Sequence, residues 1–148
     1  IEPRRINFFV IASATQGPRT EVGIKSDIRR IKSFSQGKVA VASFMDRIGA
    51  EMDPYRKEAI EGDLKAYLAK TKKNIERLDI TPLLKNLDVP CLMYAGGADP
   101  LSHESAKDAA RFIPSAEFHT IPDLKHMHTF GRTDLIFPLV RNFIERNT

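Results

Sequence analysis

Two turns that follow apolar runs carry side chains suited to proton transfer. Asp99 lies in the small-residue turn after the run 91–95, and His126 lies in the turn after the run 117–121. A carboxylate that accepts the imidazole N–H holds the ring in one tautomer and stabilises the imidazolium that forms when the ring takes a proton. Such a pair is the acid and base half of a nucleophilic triad. Asp99 and His126 are therefore candidate catalytic residues.

The same residues also have simpler interpretations. Asp99 could do no more than cap the turn after its strand. His126, His128 and Asp123 could be read as a metal cluster, but an H-x-H loop without a third ligand at compatible spacing disfavours zinc. We expect neither a metal nor a cofactor.

The other imidazole and thiol side chains favour structural roles. His103, His119 and His128 are expected at the surface or in loops. Cys91 lies inside an apolar run with no adjacent base, which is typical of a small core side chain rather than a nucleophile. A single cysteine also fits a reducing compartment, and we predict a cytoplasmic location.

Apolar runs alternate with helical patterns along the chain. Short runs from Ile6 to Ala12, at 91–95 and at 117–121 predict strands, of which the first two are buried and the third is half-exposed. Apolar spacings of three and four predict several short helices within 20–79, and further helices at 80–87, at 102–113 and from Thr133 onward. This alternation predicts an α/β fold with a three-stranded parallel sheet and helices on both faces.

The helical patterns also predict particular positions. Ile28, Val39 and Leu135 fall on the apolar stripes of their helices, and Ser102 stands where it would cap the next one. Turn-forming residues predict breaks at 15–18, at Gly37, at 53–54 and at Gly62.

Four segments, in order, resemble the α/β-hydrolase superfamily. The run 87–100 (LDVPCLMYAGGADP) is similar to its strand-and-acid segment, and the runs 112–116, 121–126 and 138–144 are similar to its closing segments. The close resemblance covers about residues 80–146. It implies that 1–15 and 80–148 belong to the hydrolase core, that 16–79 form a helical cap or lid, and that Asp99 is the triad acid and His126 the general base. If the pair keeps the family's arrangement, the two side chains lie within about 2.6–3.2 Å of each other.

The motif that would carry the family's nucleophile is absent from these 148 residues. No G-x-S-x-G elbow occurs, Ser13 follows the wrong strand, and the glycine usual before the histidine is replaced by Leu124-Lys125. Because the family's chain order is nucleophile, acid, base, we expect a C-terminal part of a longer hydrolase that acts on a small ester, lactone or related substrate. An aspartate nucleophile would redirect the chemistry to dehalogenation or epoxide opening.

This interpretation implies that the chain alone is inactive, because a base and its orienting acid have no hydroxyl to activate. The alternative is a non-catalytic fragment or scaffold that binds a partner through an open sheet edge. In the family's strand order, the outer side of the strand from Ile6 to Ala12 would face the missing half. We therefore expect that strand to pair with a second copy of the chain or with an N-terminal fragment.

Composition excludes other classes of function. A net charge of +4 suggests nucleic acid, but the basic residues are interleaved with acidic ones and accompany no recognition motif. The apolar runs fall far short of the ~20 residues that span a bilayer. We expect neither a nucleic-acid partner nor a membrane, and a small-molecule substrate for the parent protein.

Overall fold

Among the residues that the structure describes, three short strands form one parallel sheet, in which they lie side by side in chain order. The computed structural model describes residues 6–14, 21–50 and 56–148. The strands are β1 (Phe9–Ala12), β2 (Cys91–Gly96) and β3 (Ala116–Ile121). Phe9 lies opposite Cys91, which lies opposite Ala116, so the carboxyl ends of all three strands meet at one edge. The predicted three-stranded parallel sheet is confirmed.

The chain divides into two compact units. The first consists of Ile1–Gly17 and Ile80–Thr148 and contains the sheet, and the second consists of Pro18–Asp79. The described helices of the second unit are α1 (Glu21–Phe34), α2 (Lys38–Arg47), α3 (Arg56–Glu61) and α4 (Leu64–Ile75). Those of the first unit are α5 (Thr81–Leu84), α6 (His103–Ala110), α7 (His128–Gly131) and α8 (Thr133–Arg146). None of these helices is long and apolar enough to cross a membrane.

The central strand β2 is buried on both faces, which explains its unbroken apolar sequence. Side chains alternate between the faces of a strand. Cys91, Met93 and Ala95 pack with the buried alanines of α6, whereas Leu92 and Tyr94 pack with buried residues of α8. Each helix therefore covers one face, as expected for parallel strands joined by right-handed crossovers.

The edge strand β1 differs from the prediction. It begins at Phe9 rather than Ile6, and Val10 is 38% exposed rather than buried. This difference arises because β1 is an edge strand: within the described residues it has a neighbouring strand on one side only. The run of apolar residues predicted a buried strand, but it did not indicate how many of its residues pair with a neighbouring strand.

Three predicted core positions are exposed instead. On α8 the buried residues are Ile136 and Phe143, and Leu135 is exposed. Val39 and Ile28 are also exposed, because the helices are rotated so that other residues, such as Val41, face the interior of their unit. A spacing of three or four fits more than one stripe of a short helix, and packing selects among them.

The helical unit has its own core and its own polar contacts. The Phe34 ring lies edge-on to Phe44 and Tyr67, with ring centroids 5.3 Å and 6.2 Å away. The buried Asp27 pairs with Arg30 on the same helix and accepts a 3.1 Å hydrogen bond from Asn74 on α4. Gly37 and Gly62 lie between helices as predicted, and the breaks predicted at 15–18 and 53–54 lie outside the described residues.

Candidate active site

The Asp99 carboxylate is buried immediately after β2 and surrounded by donors. Its Oδ1 accepts hydrogen bonds from the backbone N–H groups of Leu101 at 2.8 Å and Ser102 at 3.2 Å. Its Oδ2 accepts the hydroxyl proton of Ser102 and lies 2.9 Å from Nδ1 of His126. The predicted helix cap is therefore wrong in one respect. Ser102 occupies the N-cap position of α6, but its hydroxyl binds Asp99 rather than the helix backbone.

The turn that carries His126 crosses the end of β2 at very short range. The N–H groups of Gly97 and Ala98 donate to the carbonyls of Ile121 at 2.8 Å and Leu124 at 3.0 Å. A Cβ atom on Gly96 would lie 2.0 Å from the Leu124 oxygen, so only glycine fits there. These contacts place the imidazole against Asp99, and the predicted proximity of the two side chains is confirmed.

The ionisation state of Asp99 determines which ring nitrogen of His126 carries a proton. Burial raises the pKa of Asp99, but hydrogen bonds from His126, Ser102 and Leu101 outweigh it, so the pKa lies below its ordinary value. The carboxylate is therefore ionised at neutral pH and can only accept, which makes His126 Nδ1 the donor. Nε2 of a neutral ring then carries the lone pair, as a general base requires.

Two contacts of this site were not predicted from the sequence, and each involves a hydroxyl residue that follows a predicted site residue by three positions. Ser102 is three residues after Asp99 and donates to its carboxylate. Thr129 is three residues after His126, and its hydroxyl donates to the His126 carbonyl at 2.7 Å. Short polar side chains at this spacing often bind back to a turn, which is a signal that could have identified them.

The other three histidines, His103, His119 and His128, make contacts that do not involve Asp99 or the His126 ring. His128 Nδ1 accepts a hydrogen bond from the Lys125 backbone at 3.3 Å, and His119 lies 3.8 Å from Glu117 on β3. His103 contacts Glu104 and Thr120 through its two ring nitrogens. Across the described residues, no three His, Cys, Asp or Glu side chains are grouped so that they could hold a metal ion.

Cys91 is a buried core residue, as predicted. It lies on the α6 face of β2 with no exposed surface. Burial raises the pKa of its thiol to about 11, which keeps the sulfur protonated at neutral pH.

The sheet and its turns are similar to those of several solved structures. No protein-family model and no curated protein matches the sequence. Among solved structures, a thermophilic esterase from Thermogutta terrifontis superposes with a TM-score of 0.76 at 21% identity, over 99% of this chain and 58% of its own. The enol-lactonase from Burkholderia xenovorans LB400 gives 0.75 at 18% identity, over 97% and 58%. An α/β hydrolase from a Medee basin deep-sea metagenome library gives 0.69 at 15% identity, over 92% and 55%.

The chain has an α/β-hydrolase fold. It spans about 58% of the length of the esterase and of the enol-lactonase. The fold places Asp99 and His126 at the carboxyl edge of the parallel sheet, where ligands of open α/β sheets bind. The resemblance of the four sequence segments to α/β-hydrolases therefore predicted the correct fold.

Proposed function

We propose that this chain is the C-terminal part of an α/β-hydrolase that cleaves a small ester or lactone, with Asp99 as the catalytic acid and His126 as the general base. The contact between Asp99 Oδ2 and His126 Nδ1, 2.9 Å long, is the observation that carries the proposal. The descriptions of two similar structures, an esterase and an enol-lactonase, support this class of substrate.

In the proposed reaction His126 moves one proton in each step. Its Nε2 takes the proton of a nucleophilic hydroxyl while that oxygen attacks the substrate carbonyl, and the ionised Asp99 stabilises the resulting imidazolium. The imidazolium then gives this proton to the leaving alcohol as the C–O bond breaks. The same nitrogen deprotonates a water that attacks the acyl-enzyme, and it returns this proton to the oxygen of the nucleophile as the carboxylic acid is released. The nucleophile and the oxyanion hole are contributed by a part of the enzyme outside these 148 residues.

We assign the remaining parts of the chain on the same basis. The helical unit 18–79 corresponds to the proposed cap, and residues 80–148 with the N-terminal strand correspond to the proposed core. The cytoplasmic location stays a prediction from the sequence.

A second candidate function is a non-catalytic chain that binds a partner through its sheet. The exposed edge of β1 favours it, because Val10 is 38% exposed and the strand has β2 on one side only within the described residues. Unpaired backbone groups at such an edge are a template for another strand. Pairing at this edge and a catalytic role for the parent enzyme are compatible.

The deciding experiment compares the isolated chain with the product of the complete reading frame. Residues 1–148 should leave a p-nitrophenyl ester at its background rate of hydrolysis. In the complete product, Asp99→Asn should lower kcat/KM on the order of 10⁴-fold and His126→Gln on the order of 10⁶-fold. His119→Gln is the matched control, since that ring lies on β3 beside Glu117. Full activity in the Asp99 and His126 variants would refute the assigned roles.

A further inference from the structure

We propose that the hydroxyl pair of Ser13 and Thr129 is a positioning device that holds the His126 turn against Asp99. This inference rests on the proposed function, because positioning matters only if His126 moves protons. Ser13 follows directly after β1, and its Oγ lies 2.9 Å from Thr129 Oγ1. Thr129 Oγ1 in turn lies 2.7 Å from the His126 carbonyl oxygen. Both hydroxyl residues are buried, at 4% and 2% exposure.

The direction of the two hydrogen bonds follows from their chemistry. A carbonyl oxygen only accepts, so the single hydroxyl proton of Thr129 goes to His126. The Ser13 hydroxyl must then donate to Thr129 Oγ1. The two hydroxyls form one directed chain that ends on the backbone of the histidine, and each bond polarises the next.

The backbone of Ser13 supports a role for its side chain. Its φ of 42° lies in the left-handed region that non-glycine residues seldom adopt. Its N–H donates to the Tyr94 carbonyl at 2.8 Å, which anchors it to β2. Glycine would adopt this φ without strain but would lack the hydroxyl, and strained residues concentrate where the surrounding structure needs a particular geometry.

The hydroxyl pair supplies a constraint that Asp99 alone does not. Asp99 holds the ring of His126 through Nδ1, whereas Thr129 holds its backbone through the carbonyl oxygen. An imidazole must be held within about 0.5 Å of its productive position to work as a base. Fixing both the backbone and the ring achieves this for a residue on a turn.

The test measures His126 in the isolated chain, so that it does not depend on catalysis. Thr129→Val and Ser13→Gly each remove one hydroxyl, and Thr129→Ser retains it. Thr71→Val is the matched control, because the buried Thr71 also donates to a carbonyl, that of Tyr67 at 2.8 Å, in the other unit. NMR would record the downfield proton on His126 Nδ1 and the amide exchange of Ala98, whose N–H donates to the His126 turn, relative to that of Met93 in β2.

We expect Thr129→Val and Ser13→Gly to broaden or abolish the Nδ1 proton signal and to accelerate exchange of Ala98 at least tenfold relative to Met93. Thr129→Ser and Thr71→Val should match the wild type in both readouts. The proposal is overturned if either hydroxyl deletion leaves both readouts unchanged, or if Ala98 and Met93 accelerate equally, which would mean a loss of overall stability. If the complete enzyme proves inactive while these expectations hold, the proposed function fails and the positioning contact stands.

Discussion

Asp99 is a buried carboxylate that remains ionised because donors from three residues surround it. The backbone N–H groups of Leu101 and Ser102, the Ser102 hydroxyl and His126 Nδ1 all approach its oxygens. Without these hydrogen bonds, burial would favour the protonated acid. A protonated Asp99 could itself donate, and the tautomer of His126 would no longer be determined.

Removal of the Ser102 hydroxyl should raise the pKa of Asp99 toward its ordinary value of 3.8. The carboxylate loses one of its donors in Ser102→Ala, while burial still disfavours its charge. A titration of the Asp99 carboxyl carbon by NMR should give a midpoint below 3.8 in the wild type and a higher one in the variant. Ser43→Ala is the control, since that exposed hydroxyl donates to Val39 within α2. Equal midpoints in Ser102→Ala and the wild type would contradict the assignment.

The same hydrogen bonds make stability depend on acid. The pKa of Asp99 is lower in the folded chain than in the unfolded chain. Ionised Asp99 therefore stabilises the fold at pH values above its unfolded-state pKa. This contribution disappears as the pH falls through its folded-state pKa. Asp99→Asn has no such titration. Urea unfolding between roughly pH 5 and pH 2 should therefore show a smaller loss of stability in this variant than in the wild type. An equal loss would show that Asp99 does not contribute.

Cys91 should be unreactive in the native chain. With a pKa of about 11, roughly one thiol in a thousand is ionised at pH 8, and the sulfur is buried as well. A disulfide reagent such as DTNB should leave the folded protein unmodified and titrate one thiol in guanidinium chloride. Rapid labelling of the folded protein would contradict the burial of this strand.

At the scale of elements, the end of β2 and the turn after β3 are in direct backbone contact. Backbone hydrogen bonds from Gly97 and Ala98 to that turn, and the close approach of Leu124 to Gly96, bring together segments that are distant in sequence. Asp123 turns the chain there with a φ of 58°, a conformation that aspartate tolerates better than most residues. Asp99 and His126 are therefore positioned by backbone contacts as well as by their own hydrogen bond.

Gly96→Ala should displace this turn. Its Cβ would lie 2.0 Å from the Leu124 oxygen, so one of the two segments has to move, at a cost of roughly 1–3 kcal/mol in the free energy of unfolding. Gly131→Ala is the matched control, because nothing lies within 4 Å of a Cβ there. It should change stability by less than about 1 kcal/mol in urea unfolding. Equal stabilities of the two variants would contradict the close approach.

At the scale of the whole molecule, the exposed edge of β1 is the feature that bears on assembly. Phe8 and Ala12 pack against the α8 side of the core, whereas Val10 between them is 38% exposed. The strand carries no lysine or proline, the residues that discourage pairing at an edge. We propose that this edge pairs with a second copy of the chain or with an N-terminal part of the hydrolase.

Val10→Lys should weaken this pairing. We expect the wild-type chain at micromolar concentration to exceed the mass of a monomer by light scattering, and the variant to shift toward the monomer. Val39→Lys makes the same substitution at an exposed site on α2 and should leave the assembly unchanged. A wild-type chain that is a monodisperse monomer would contradict the proposed pairing of a second copy.

Local patterns in the sequence were sufficient to predict the sheet, and together with the resemblance to α/β-hydrolases they predicted the Asp99–His126 contact. The apolar runs predicted where strands form, and the carboxyl ends of neighbouring parallel strands lie together, so residues in the turns after β2 and β3 had to be close. Four segments in the right order also predicted the α/β-hydrolase fold.

Only the tertiary structure decided which residues of each element are buried and which hydroxyl groups contact the backbone of His126. The choice of Ile136 over Leu135 depends on the rotation of α8 against β2, which a short periodic pattern does not specify. Ser13 and Thr129 are separated by 116 positions, and no local pattern relates them. Strand and helix propensities act over a few neighbouring residues, whereas a hydrogen bond between distant segments forms only after the sheet has brought them together.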